Sequence, residues 1–213
     1  MKPKIIIPSI FNFDLKIITK DIEKILSNKE AKMIHFDGLS GLAELKILMA
    51  KYKSTADVHS LTDRPLEDLK KIIKMNTDLS IRISMHLETE TDIHEFIDMA
   101  RQNKISPGLA IKLSTPITQK FKLYSGFDYF HLICNDELSN LNTFQYSVLD
   151  KVIALRAIIP NAKITLDCGI KEEHIIPSIE TGVNNLIMGS AIFKSADPFD
   201  TIKKFNQIIY QNL

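Results

Sequence analysis

Short, nearly continuous apolar runs alternate with longer stretches in which apolar residues recur at helical spacing, from one end of the chain to the other. The strand candidates are Lys4–Pro8, Met33–Asp37, Thr55–His59, Leu79–Leu87, Leu109–Leu113, Tyr129–Ile133, Lys163–Asp167 and Asn185–Met188. Several lack polar alternation, as expected where both faces of a parallel sheet are covered. Between them, Leu15, Ile18, Ile22 and Ile25 form one stripe, and Ile93, Phe96, Ile97 and Ala100 form another. This spacing places each set on one face of a helix. Thr115 before Pro116 and Asp197 before Pro198 read as N-caps followed by proline at the first helical position. A last helix is expected from about Pro198 to Gln211, with Phe199, Ile202, Phe205 and Ile209 on one side.

Eight strand–helix units in 213 residues leave about 27 residues for each, near the compact end for an eightfold β/α barrel. The expected fold is therefore α/β, one (β/α)8 TIM barrel domain over residues 1–213. An open doubly wound sheet shares the alternation. Its Gly-rich dinucleotide loop is missing, however, because Pro8-Ser9-Ile10-Phe11 follows the first strand instead. With only seven glycines and no low-complexity stretch, the sequence marks no linker and no second domain. Another helix is expected around Glu44–Lys51.

Charge narrows the partners. Lys+Arg number 27 against 26 Asp+Glu, a net charge of +1. That balance offers no broad basic surface for a nucleic-acid backbone or an anionic membrane. Any anion must be held locally. Two isolated cysteines, Cys134 and Cys168, make neither a disulfide framework nor a paired metal clip. The run Ile5-Ile6-Ile7 ends at Pro8, too short for a secretory core, and no apolar segment reaches bilayer length. A reducing, cytoplasmic setting is expected.

In such a barrel the C-terminal strand ends form the active-site mouth. The second strand ends His35-Phe36-Asp37, and alternation puts His35 and Asp37 on one face. The third ends Asp57-Val58-His59 and the seventh Leu166-Asp167-Cys168-Gly169. Together, His35, Asp37, His59 and Asp167 offer two imidazoles and two carboxylates, a donor set suited to one divalent ion: Zn, Fe, Mn or Co. Taken singly, a strand histidine is more often a hydrogen-bonded core residue, and a strand-end aspartate often caps the next turn. The eighth strand ends Met188-Gly189-Ser190-Ala191. With Gly169, Gly189 and Ser190 let an anion approach the backbone where phosphate sites of these barrels commonly lie. His86 either lines the mouth or belongs to the core, and His131 can face either way. His94 and His174 read as surface residues on helices, while Lys70-Lys71 and Lys203-Lys204 read as solvated helix faces.

Over nearly its whole length the chain resembles the ribulose-phosphate 3-epimerase family. The segments that carry the resemblance are Pro8-Ser9-Ile10, His35-Phe36-Asp37, Asp57-Val58-His59, Gly108-Leu109-Ala110 with Thr115-Pro116, Asp167-Cys168-Gly169-Ile170 and Gly189-Ser190-Ala191-Ile192-Phe193. The resemblance implies a barrel of the ribulose-phosphate-binding type and a divalent ion held by His35, Asp37, His59 and Asp167. It also implies acid/base roles for Asp37 and Asp167, substrate contacts from Ser9 and His59, and a phosphate grip that includes Gly169, Gly189 and Ser190. The implied activity is a metal-dependent epimerase of a phosphorylated ketose such as ribulose 5-phosphate, with that sugar as partner and a homo-oligomer as the expected assembly.

The chain departs from the family at several loops. Leu39-Ser40-Gly41 replaces a longer aromatic loop after the second strand. A Gly-rich phosphate-closing loop is replaced by Cys134-Asn135-Asp136-Glu137-Leu138-Ser139-Asn140, whose acids would repel a phosphate. Ser60-Leu61 and Lys112-Leu113 are further departures. Three readings follow. Lys112 or Lys120 compensates for the lost loop, Lys112 acts as a Schiff-base amine in an aldolase-like reaction, or the chain is a non-catalytic relative that keeps the metal site.

Overall fold

The computed structural model describes residues 5–75, 78–136 and 143–212. Eight parallel strands run in chain order around a barrel: β1 (Ile5–Pro8), β2 (Met33–Asp37), β3 (Thr55–His59), β4 (Ser80–His86), β5 (Ser106–Ile111), β6 (Tyr129–Ile133), β7 (Ile164–Asp167) and β8 (Asn185–Met188). The helices lie outside: α1 (Leu15–Ser27), α2 (Leu42–Lys51), α3 (Pro65–Lys74), α4 (Ile93–Gln102), α5 (Ser147–Ile158), α6 (Glu172–Glu180), α7 (Ser190–Phe193) and α8 (Pro198–Gln211). β1 pairs with β8 along its length, whereas β1 and β2 meet through one bridge, Ser9 to His35. The barrel is nearly closed there, with the Ile10 amide donating to the His35 carbonyl at 3.2 Å.

The helix stripes bury as their spacing requires. Ile18, Ile22 and Ile25 of α1 are buried, as are Phe96, Ile97 and Ala100 of α4. Asp14, Asp92 and Asp197 each accept a backbone N–H at the helix starts of α1, α4 and α8, satisfying donors that have no partner inside the helix. Among the described residues, no helix is long and apolar enough to cross a membrane.

Two local expectations fail. The fifth strand begins earlier than Leu109, at Ser106, and includes Pro107 and Gly108. Pro107 is tolerated because the ladder with β6 starts only at Gly108 opposite Tyr129, so the missing N–H is not needed there. Thr115-Pro116 does not start a helix: a 3-10 turn, Gln119–Tyr124, begins later with Thr118 before it. The Thr115 hydroxyl donates instead to the Glu88 carboxylate, and its carbonyl accepts from Lys151 Nζ at 2.6 Å. Lys4 and Glu137 to Asn140 lie outside the described residues.

Candidate active site

Register decides the site. β2 and β3 pair with His35 opposite Asp57 and Asp37 opposite His59, so each imidazole faces a carboxylate on the next strand. His35 is fully buried, and its Nδ1 lies 2.9 Å from Asp57 Oδ2. Asp57, also fully buried, accepts from Arg82 Nε at 2.7 Å, and the guanidinium stacks 4.2 Å over the Tyr129 ring. Burial works against the charged forms of both Asp57 and His35. The facing Arg82 and His35 nevertheless lower the pKa of Asp57, while Asp37 and Asp57 raise that of His35.

With Nδ1 committed to Asp57, His35 Nε2 points inward and has no hydrogen-bond partner. Around it stand Asp37 Oδ1 at 3.5 Å and Asp167 Oδ2 at 3.7 Å, and His59 Nδ1 lies 3.2 Å from Asp37 Oδ1. One donor atom from each of His35, Asp37, His59 and Asp167 falls within 4.8 Å of every other. Donors about 2.0–2.2 Å from a shared tetrahedral ion stand roughly 3.3–3.6 Å apart, close to the three separations of 3.5, 3.7 and 3.2 Å just given. A buried imidazole nitrogen without a partner, facing two carboxylates and a second imidazole, fits a divalent cation. The four residues singled out from strand ends therefore come together.

Sequence reasoning left other members of this cluster undecided or unnoticed. His131 faces inward from β6, with Nε2 3.2 Å from Asp167 Oδ2 and Nδ1 3.0 Å from the Ser84 hydroxyl. His86 lines the mouth, with Nε2 2.8 Å from His59 Nε2 and Nδ1 3.2 Å from Glu88. Burial and the neighbouring His131 push the His59 pKa down to about 4, which favours the neutral imidazole that metal ligation requires. Arg82, Ser84 and His86 recur every second residue of β4, a polar lining signal visible in the alternation. His174 is not a surface residue: it is buried and stacks on Phe144 with ring centroids 4.2 Å apart.

Above the cluster opens a cavity of about 620 Å³ lined by Ser9, Asp37, His59, Asp167, Gly169, Gly189 and Ser190, among others. That volume suits a small ligand. Gly169 has φ +68°, and a Cβ there would stand 2.4 Å from the Thr143 carbonyl carbon, so only glycine fits this turn. A Cβ at Gly189 would crowd the Ser9 carbonyl at 3.1 Å. Lys112 and Lys194 reach the cavity, whereas Lys120 is not among its lining residues. Asp136 lines the cavity and is also engaged by backbone donors. It accepts the Leu113 and Ser114 amides at 2.5 and 2.7 Å, fastening the turn after β5.

A profile of the ribulose-phosphate 3-epimerase family matches residues 5–193. The chain belongs to this family. A ribulose-phosphate 3-epimerase of Buchnera aphidicola subsp. Baizongia pistaciae is 25% identical over 226 residues, with 98% of this chain and 97% of that one covered. One from Bacillus subtilis is 24% identical, covering 89% and 92% of the two chains. The match to the Candida glabrata enzyme, 24% identical, takes in 74% of this chain and only 63% of that relative's length. Among solved structures, 3-hexulose-6-phosphate synthase from Salmonella typhimurium superposes with a TM-score of 0.76 at 17% identity, both chains fully covered. Thiamine phosphate pyrophosphorylase from Pyrococcus furiosus gives 0.62 at 15% identity. These two likenesses concern the barrel alone.

Proposed function

We propose that the chain is an isomerase that epimerises a phosphorylated ketose, ribulose 5-phosphate or a near relative, at C3 in the cytoplasm. The observation that carries this reading is the convergence of Asp37 and Asp167 on the unpartnered Nε2 of buried His35, in a chain of the epimerase family. Inverting a carbon beside a ketone requires a proton to leave one face and another to arrive on the opposite face. Asp37 comes from β2 and Asp167 from β7, strands separated by β1 and β8, so the carboxylates reach the centre from different sides. One carboxylate takes the C3 proton and leaves a planar enediolate. The other, protonated, delivers a proton to the far face, and the roles exchange in the reverse direction. A divalent ion held by His35, Asp37, His59 and Asp167, whether Zn, Fe, Mn or Co, would supply Lewis-acid stabilisation of the oxyanion. Ser9 and His59 contact the sugar, while Gly169, Gly189 and Ser190 let its phosphate approach the backbone.

Lys112 does not suit the aldolase alternative. A Schiff-base lysine needs an apolar or cationic surround, and Lys112 is exposed on a turn fastened by Glu88 and Asp136.

The test is metal analysis of the purified protein followed by exchange of the C3 proton of ribulose 5-phosphate with D₂O. Asp37→Asn and Asp167→Asn are each expected to lower exchange by at least the roughly 10²–10⁴-fold of a lost acid/base group, with substrate still binding. Wild-type exchange in either variant would remove the two-carboxylate scheme. Metal uptake without any exchange in the unmodified protein would leave a metal-binding relative that does not catalyse.

A further inference from the structure

The cavity carries a marked charge asymmetry. Its lining includes the carboxylates of Asp37, Asp63, Glu88, Asp136 and Asp167 but only two ammonium groups, Lys112 and Lys194. Asp37 and Asp167 belong to the central cluster. The other three follow β3, β4 and β6, so the acids of the rim lie on one side of the barrel. Toward β1 and β8 the described lining is Ser9, Asn12, Gly189, Ser190 and apolar neighbours, with no carboxylate, and Lys194.

A sugar phosphate brings roughly −1.5 to −2 charges at neutral pH, which must be kept away from the acidic side. Lys112 is poorly placed to hold it. Its own amide donates to Glu88 at 3.1 Å, and the next two amides donate to Asp136, so an anion at Lys112 meets two carboxylates. Lys194 has the opposite setting. Its backbone N–H closes α7 on the Ser190 carbonyl at 3.1 Å. Its exposed side chain forms no ion pair or hydrogen bond with any described residue. Phe193 beside it packs on Phe13 at 5.3 Å between ring centroids, which fixes the segment against the loop after β1. There Asn12, at φ +61°, also reaches the cavity. The Ser9 oxygen accepts the Phe11 amide at 3.3 Å, leaving its O–H free to donate.

We propose that Lys194 is the phosphate-recognising cation of this chain, acting with Asn12 beside the small residues Gly189 and Ser190 on the β1/β8 side, with Ser9 left to the sugar. It does the work that the sequence suggested for Lys112 or Lys120. The proposal rests on the epimerase reading for its sugar but not for its anion.

The experiment compares Lys194→Met, Lys194→Arg and Lys112→Met with the unmodified protein by two readouts. One is KM and kcat for ribulose 5-phosphate, and the other is calorimetric titration with inorganic phosphate. A charge-assisted contact of this kind predicts a KM about tenfold to a hundredfold higher in Lys194→Met, with kcat little changed. Lys194→Arg recovers most of the loss, Lys112→Met leaves KM essentially unchanged, and phosphate binding weakens only in Lys194→Met. Unchanged KM and phosphate affinity in Lys194→Met, or the larger loss in Lys112→Met, would overturn the subsite while leaving the epimerase reading standing. If the unmodified protein shows no turnover, the phosphate titration decides alone. Lys194-dependent binding then supports the subsite as the epimerase reading falls, and Lys194-independent binding sinks it.

Discussion

Asp57 controls which nitrogen of His35 is available. By accepting from Nδ1 it leaves Nε2 facing Asp37 and Asp167, and Arg82 holds Asp57 ionised from the other side. A histidine ligand depends on such an outer partner, and losing it typically costs about 10–100-fold in metal affinity. Asp57→Asn is therefore expected to weaken metal binding by that factor in a chelator competition. It also strands the buried Arg82 charge, at a cost of about 3–5 kcal/mol by denaturant unfolding. Metal affinity unchanged in folded Asp57→Asn would show that Asp57 does not orient the ligand. His35, Asp37, His59 and Asp167 were legible because strand ends and two-residue alternation locate them. The inward turn of His131 was not legible, because β6 is buried on both faces and its pattern, Tyr-Phe-His-Leu-Ile, does not distinguish inside from outside.

At the level of elements, the turn after β5 is built from three charged residues distant in sequence. Glu88 accepts the Lys112 amide and the Thr115 hydroxyl, Asp136 accepts two further amides, and Lys151 Nζ donates to the carbonyls of Lys112, Leu113 and Thr115. That cage explains why Thr115-Pro116 does not nucleate a helix: the cap hydroxyl is already engaged elsewhere. Burial disfavours the Glu88 carboxylate, yet the bonds from His86, Thr115 and the Lys112 amide bring its pKa down to about 2. A carboxyl whose folded pKa is depressed contributes stability above its unfolded value of about 4.5, and that contribution is lost as pH falls toward 2. Denaturant stability measured against pH should show the unmodified protein ahead of Glu88→Gln at neutral pH by on the order of 2 kcal/mol. The difference should close between pH 4.5 and 2. A constant gap across that window would mean that Glu88 is not ionised in the cage.

For the whole molecule, an ion bound only by the folded barrel must stabilise it. At a hundredfold excess over Kd the gain is about 2.7 kcal/mol, several degrees in Tm for a chain of this length. It should be reversed by EDTA and reduced in Asp167→Asn. Melting curves indifferent to Zn, Fe, Mn and Co would sink the metal site. The sequence by itself determined the eight-unit alternation, the helix faces and the residue types at the strand ends, because these follow from periods of 2 and 3.6 and from local capping. Only the tertiary structure decided that β2 and β3 align His35 with Asp57 and Asp37 with His59. It alone decided that Arg82 and His131 enter the barrel, and that, among the described residues lining the cavity, Lys194 is the ammonium group away from the acidic rim. Register and barrel closure depend on pairings between residues far apart in the chain. A one-residue slip would turn every one of these side chains to the other face without changing the sequence pattern at all.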